Sequence, residues 1–141
     1  MITPFTPPWL DVALKELGVA EVQGPKDNPR IVEYHQATTL KATDDEVPWC
    51  SSFACWCMQQ CSVIHLHKAT ARSWLLWGVP LQKPAYGCVV VIKRGNNPAQ
   101  GHVGFLVGID AEHVHILGGN QGDKVSIAPF KREDVLGYRW Y

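Results

Sequence analysis

A change of hydrophobic rhythm near Pro84 divides this chain. Before it, apolar residues recur at helical spacing. Trp9, Leu10, Ala13, Leu14 and Leu17 fall on one face, and Gly18 supplies a C-terminal stop. Asn28-Pro29 opens a short second helix, with Asn as cap and Pro at the first helical position, and turns Ile31 and Tyr34 inward. A third helix is expected from Trp49-Cys50, just after Pro48, to about Gln60. A fourth is expected from Thr70 to Trp77, closed by Gly78. The polar, acidic residues 36–47 between them read as a loop. After Pro84 the rhythm is that of strands. Cys88 to Ile92 is a β-branched run, Gly95-Asn96-Asn97-Pro98 is a turn, and residues 102–108 form the next strand. Residues 113–117, 124–128 and 136–141 complete the set. Such short connections join antiparallel neighbours. The expectation is an α+β fold, with N-terminal helices packed on a C-terminal antiparallel sheet.

The 141 residues suffice for one domain, 1–141, with a core that needs no metal or disulfide staple. Lys plus Arg and Asp plus Glu are 13 each, so the formal charge is zero, which excludes a general nucleic-acid binder. No apolar run is long enough for a membrane span. Met1 to Pro8 is proline-rich and lacks a basic segment, unlike a signal peptide. The protein is therefore expected to be made in the cytoplasm. The odd count of 5 cysteines reads as reduced thiols.

Cys50 carries the clearest chemical signal. A thiol reacts as thiolate, and the positive end of a helix favours that anion. Free backbone N–H groups at the same end can hold an oxyanion. His102, at the start of a strand, would act as base and then acid. Asn120 lies just beyond the far end of the following strand, and a turn near Asp110 returns residues 102 and 120 to one end of the sheet. Asn120 is then placed to orient the imidazole.

Trp49-Cys50-Ser51-Ser52-Phe53, Pro84-x-x-Gly87 and Gly101-His102-Val103-Gly104 together resemble the CHAP and NlpC/P60 group of papain-like cysteine peptidases and amidases. Glu21-x-x-Gly24, Asn28-Pro29, Tyr34, Trp74-x-x-Trp77-Gly78, Leu117-Gly118-Gly119-Asn120-Gln121 and Gly137-Tyr138-Arg139-Trp140 extend the resemblance to small phage-associated CHAP-type lysins, over residues 9 to 140. The resemblance implies a papain-like fold and a peptidoglycan hydrolase. Cys50 would be its nucleophile, His102 its base and Asn120 its third polar residue. The amide cut would join muramic acid to L-alanine or lie within the stem peptide. Trp49, Tyr34 and Gln121 are the candidate substrate-binding residues. No cofactor is implied. The chain departs from the family at Gly87-Cys88, where Gly-Asp is frequent. The acidic residues Asp44, Asp45 and Glu46 do not have calcium-loop spacing.

The remaining polar residues read as structural. Cys57 and Cys61 share the helical stripe of Cys50 and point into the core, whereas Cys55 lies off it. Cys55, Cys57, Cys61, His65 and His67 offer soft ligands, but a continuous helix scatters them, so no metal site is expected. His65 and His67 are expected to be solvated, His35 to lie on the surface, and His113 and His115 to share an exposed strand face. Were that face turned toward the helices, one of them would compete with Asn120 for His102. The expected partner is peptidoglycan, acted on by a monomer in the periplasm after release by a holin or an injection machine. The rival readings are an effector with the same chemistry, blocked by an immunity protein, and a non-catalytic wall-binding or zinc-binding module.

Overall fold

The computed structural model describes residues 6–22, 27–40 and 48–141. Three α-helices, α1 (Pro8–Leu14), α2 (Pro29–His35) and α3 (Cys50–Gln60), precede a 3-10 turn at Ala71–Leu76. Six strands follow: β1 (Val79–Leu81), β2 (Val89–Lys93), β3 (Gly101–Ile109), β4 (His113–Gly118), β5 (Ser126–Lys131) and β6 (Val135–Trp140). They form one antiparallel sheet in the order β1-β6-β2-β3-β4-β5. The α+β layout is as expected.

The elements differ from the sequence expectation in extent. α1 ends at Leu14 rather than Leu17, because the chain tightens into i→i+3 bonds, Lys15 N–H to Val12 and Glu16 N–H to Ala13. Gly18, at φ 93°, then donates its N–H to Val125. Strand β1 has no sequence signal: it is 3 residues long and contains Pro80, which an edge strand tolerates. β5 begins at Ser126, and the fourth helix is a 3-10 turn. The acidic residues Asp44, Asp45 and Glu46 lie outside the described residues.

α3 is buried on every side from Cys50 to Met58. A helix with no polar stripe must be covered all round. α1 and α2 pack against it on one side, and β3 carries Val103 and Phe105 toward it on the other. Polar groups that enter this core are paired. Ser51 donates to the Lys68 carbonyl (2.6 Å) and accepts from Trp74 Nε1 (2.9 Å). Ser52 Oγ meets His35 Nδ1 at 2.8 Å. His35 is therefore fully buried, not a surface residue as its place on a short helix suggests. Trp9, Trp49, Trp56 and Trp77 each donate their indole N–H to a fixed acceptor: Gly87 O, Glu21, Glu33 and Ile64 O.

Alternate residues of the central strands face opposite sides. Val89 and Val91 join the helical core, while Cys88, Val90 and Ile92 join a second cluster with Leu106, Val114, Ile116 and Phe130. The β2 run is apolar throughout because both of its faces are covered.

The loop after β4 passes close to the start of α3. A Cβ on Gly119 would stand 2.7 Å from the Trp49 ring and from Phe53 Cβ. Gly119→Ala is expected to lower stability by about 1–3 kcal/mol, since neither ring nor helix can yield in a packed core. Urea denaturation of the variant at neutral pH measures this.

Candidate functional site

Two cavities flank the start of β3, one at the mouth of α3 and the other against β5 and the loop after β4. The first, about 260 Å³, is lined by Cys50, Arg94, Gln100 and Gly101 among others. The second, about 410 Å³, is lined by His102, Asn120, Gln121, Phe130 and Arg94. Arg94, in the turn after β2, belongs to both walls.

Cys50 is the first residue of α3. Trp49 caps the helix with no side-chain hydrogen bond, and the first N–H donated within the helix is that of Phe53, to the Trp49 carbonyl. The N–H groups of Cys50 and Ser51 therefore remain directed at the helix mouth. The Cys50 side chain also meets the backbone N–H of Val103. Burial pushes its thiol up from the ordinary range; the N–H groups of Val103, Ser51 and Cys50 and the charge of Arg94 oppose this.

His102 is 1% exposed. Its Nε2 lies 2.8 Å from Gln121 Oε1. The Gln121 amide nitrogen donates to the carbonyls of Ile116 (3.0 Å) and Ser126 (2.7 Å). That fixes which end of the amide faces the ring: the oxygen does, so His102 Nε2 carries the proton. The neutral ring then presents Nδ1 as a bare lone pair, and Nδ1 is buried with no hydrogen-bond partner. Burial first, and then the charge of Arg94, lower the His102 pKa to about 4, against the opposing influence of Gln121.

The polar partner of His102 is therefore one position beyond the one expected. Asn120 does not bond to His102; Gln121 does. β4 ends at Gly118, and Asn120 takes a left-handed turn conformation (φ 60°), with its side chain on the cavity wall. The longer Gln121 side chain reaches back beneath the strand end. Gln121, expected to bind substrate, hydrogen-bonds the His102 ring and also lines the cavity.

Cys50 and His102 are brought to the same strand segment without being joined by a hydrogen bond. Val103 faces the helical core, so His102 faces the other side of β3, where its ring stacks on Phe130 with centroids 5.0 Å apart. Thiol and imidazole thus approach the Gly101–Val103 backbone from different sides, each opening to a cavity that Arg94 borders.

Trp49 and Tyr34, expected to bind substrate, line neither cavity. Both are fully buried, Trp49 bonded to Glu21 and Tyr34 to Glu16, and their rings stack on each other. They brace α3 instead. His113 and His115 pair with Asp110 at the far end of the β3–β4 hairpin, away from His102. His65 is buried, not solvated as expected, and its pKa is lowered to about 4 by burial and then by His67. The thiols of Cys55 and Cys61 are turned to backbone carbonyls, and all 5 cysteines are unbridged. Among the described residues no group of three or more His, Cys, Asp or Glu side chains could hold a metal ion, and no helix is long and apolar enough to cross a membrane. Arg94 was missed in sequence, where it is only a cation before a Gly-Asn-Asn-Pro turn.

Helices packed on an antiparallel sheet, with a cysteine at a helix mouth and a histidine on the adjoining strand, define a papain-like α+β protein. The chain matches the family model of the CHAP domain over residues 42–120, and it belongs to that family. CHAP domains are typically hydrolases that act on peptidoglycan. No curated protein matches the chain.

Burial of neutral His102 makes stability depend on pH. The unfolded imidazole, near its ordinary 6.5, binds a proton that the folded one refuses until about pH 4. The contribution is complete above pH 6.5 and is lost as pH falls toward 4, by on the order of 3 kcal/mol. Urea midpoints measured from pH 7 to 4 should show this decline, and His102→Asn should make it shallower.

Proposed function

We propose that this CHAP domain is a cysteine-dependent amidase or endopeptidase that cuts an amide bond in bacterial peptidoglycan, with Cys50 as nucleophile and His102 as base. The observation that carries the reading is the His102 tautomer. One nitrogen is held as a donor by Gln121, and the other is left as an acceptor with no partner, beside the strand segment that Cys50 touches. His65 also buries an unpartnered nitrogen, but of the two only His102 lines one of the two cavities.

In the reaction the Cys50 thiol proton passes to His102 Nδ1, and the sulfur attacks the amide carbonyl. The N–H groups at the mouth of α3 hold the oxyanion. The imidazolium gives its proton to the leaving amine, which departs. A water then loses a proton to His102 and attacks the thioester, and collapse of that intermediate regenerates the thiol. In the free protein the two side chains lie on different sides of the β3 backbone, so the first transfer requires the His102 ring to leave Phe130 and bring Nδ1 within about 3 Å of the thiol in the substrate complex. The substrate places the action of the protein at the cell wall, in the periplasm.

A second reading, wall binding without cleavage, draws on a specific observation. No thiol–imidazole hydrogen bond is present, and burial drives both groups toward their neutral forms. One experiment separates the two. Purified sacculi are incubated with wild type, Cys50→Ala and His102→Ala, and released fragments are identified by mass spectrometry. The hydrolase reading expects fragments from wild type and a loss of about a thousandfold or more in each variant. Sedimentation of wild type with sacculi but no fragment release would establish binding alone.

A further inference from the structure

Arg94 has no role in holding the fold together. It is exposed, and it makes no hydrogen bond or ion pair with any described residue. The other well-placed arginines are occupied. Arg30 pairs with Glu16 and Glu33, Arg72 donates to the carbonyls of Gln100 and Asn97, and Arg132 donates to that of Asp110. Among the described residues no Asp or Glu lines either cavity. The guanidinium therefore stands on the boundary between the Cys50 cavity and the His102 cavity, and the described residues of their walls offer it no anion.

We propose that Arg94 is the specificity-determining residue of this site, binding a free carboxylate of the stem peptide that lies across the two cavities. The inference rests on the peptidoglycan reading and deepens it. A guanidinium matches a carboxylate in two parallel hydrogen bonds, and such charge-assisted pairs are strong where the wall excludes water. The position has a second consequence. Arg94 opposes protonation of His102. A carboxylate seated on the guanidinium would cancel that repulsion, and with it the support that Arg94 gives the Cys50 thiolate. Substrate bearing the charge would then be favoured through its binding, the two effects on proton transfer opposing each other.

The test uses soluble muropeptides whose stem carboxylates are free or amidated. Wild type should cleave the free-acid form with kcat/KM about tenfold to a hundredfold higher than the amidated form. Arg94→Gln should bring that ratio close to one, and Arg94→Lys should keep part of it. A wild type with no preference, or an Arg94→Gln variant that slows both substrates by the same factor, overturns the inference. The second arm does not depend on turnover. Calorimetry on Cys50→Ala protein should show tighter binding of the free-acid muropeptide, with the difference lost when Arg94→Gln is added. Were the wild type to cleave nothing, the hydrolase reading would fall while that binding difference still supported the role of Arg94. Equal binding of the two forms, or binding of neither, would overturn that role.

Discussion

Burial of α3 on all its sides is the constraint from which the site follows. A helix whose residues from Cys50 to Met58 are all covered has no freedom to slide or rotate. Its position is set by the apolar fit to α1, α2 and β3, and its rotation by Ser51 and Ser52, whose hydroxyls have their own buried partners. The consequence lies at the N-terminus, where the covering ends. Cys50 is left at the edge of the packed region, 8% exposed, with backbone donors around it and the Val103 peptide in front. Trp49 and Tyr34, which a reading of motifs assigns to the cleft, serve that rigidity from behind. The Trp49 ring, with Phe53, fills the space that Gly119 leaves open.

The same packing sets the electrostatic character of the site. Cys50 and His102 are both taken from water, which disfavours thiolate and imidazolium together. Gln121 accepts a hydrogen bond from the ring without adding a negative charge, so it orients His102 but does little to hold it as a cation. A carboxylate in that place would stabilise the imidazolium and favour a permanent ion pair. With an amide, the free protein rests in the neutral form. Charge separation then depends on what enters the cavities and on the helix mouth that receives the sulfur anion.

Legibility in the sequence divided along physical lines. The β2 run and the helical spacing around α3 were readable because burial on two faces, or on all sides, leaves a continuous apolar record. The Asn28-Pro29 start was readable because capping is local, and Asn28 does accept from the Arg30 N–H. Cys50 and His102 were readable from their places at a helix start and a strand start. What failed was whatever depends on side-chain reach in three dimensions. Asn120 and Gln121 are adjacent polar amides, and only the left-handed turn at Asn120 decides that the second one returns to the ring. His35 and His65 look like surface residues until their buried surroundings are seen. Three-residue β1 is fixed by its partner β6, through pairing that no local pattern records.

The arrangement of His102 and Gln121 also bears on why the imidazole is not simply a core residue that happens to be histidine. Gln121 has its amide nitrogen fully engaged by two carbonyls, so its oxygen has one orientation and the ring one tautomer. A packing role would be met as well by any flat ring stacked on Phe130, and it would avoid burying an acceptor that nothing satisfies. An unmet lone pair costs stability in every folded molecule, on the order of 1–3 kcal/mol. His65 also buries an unpartnered nitrogen, so what sets His102 apart is its place: it lines a cavity that shares Arg94 with the cavity on the Cys50 side of the strand.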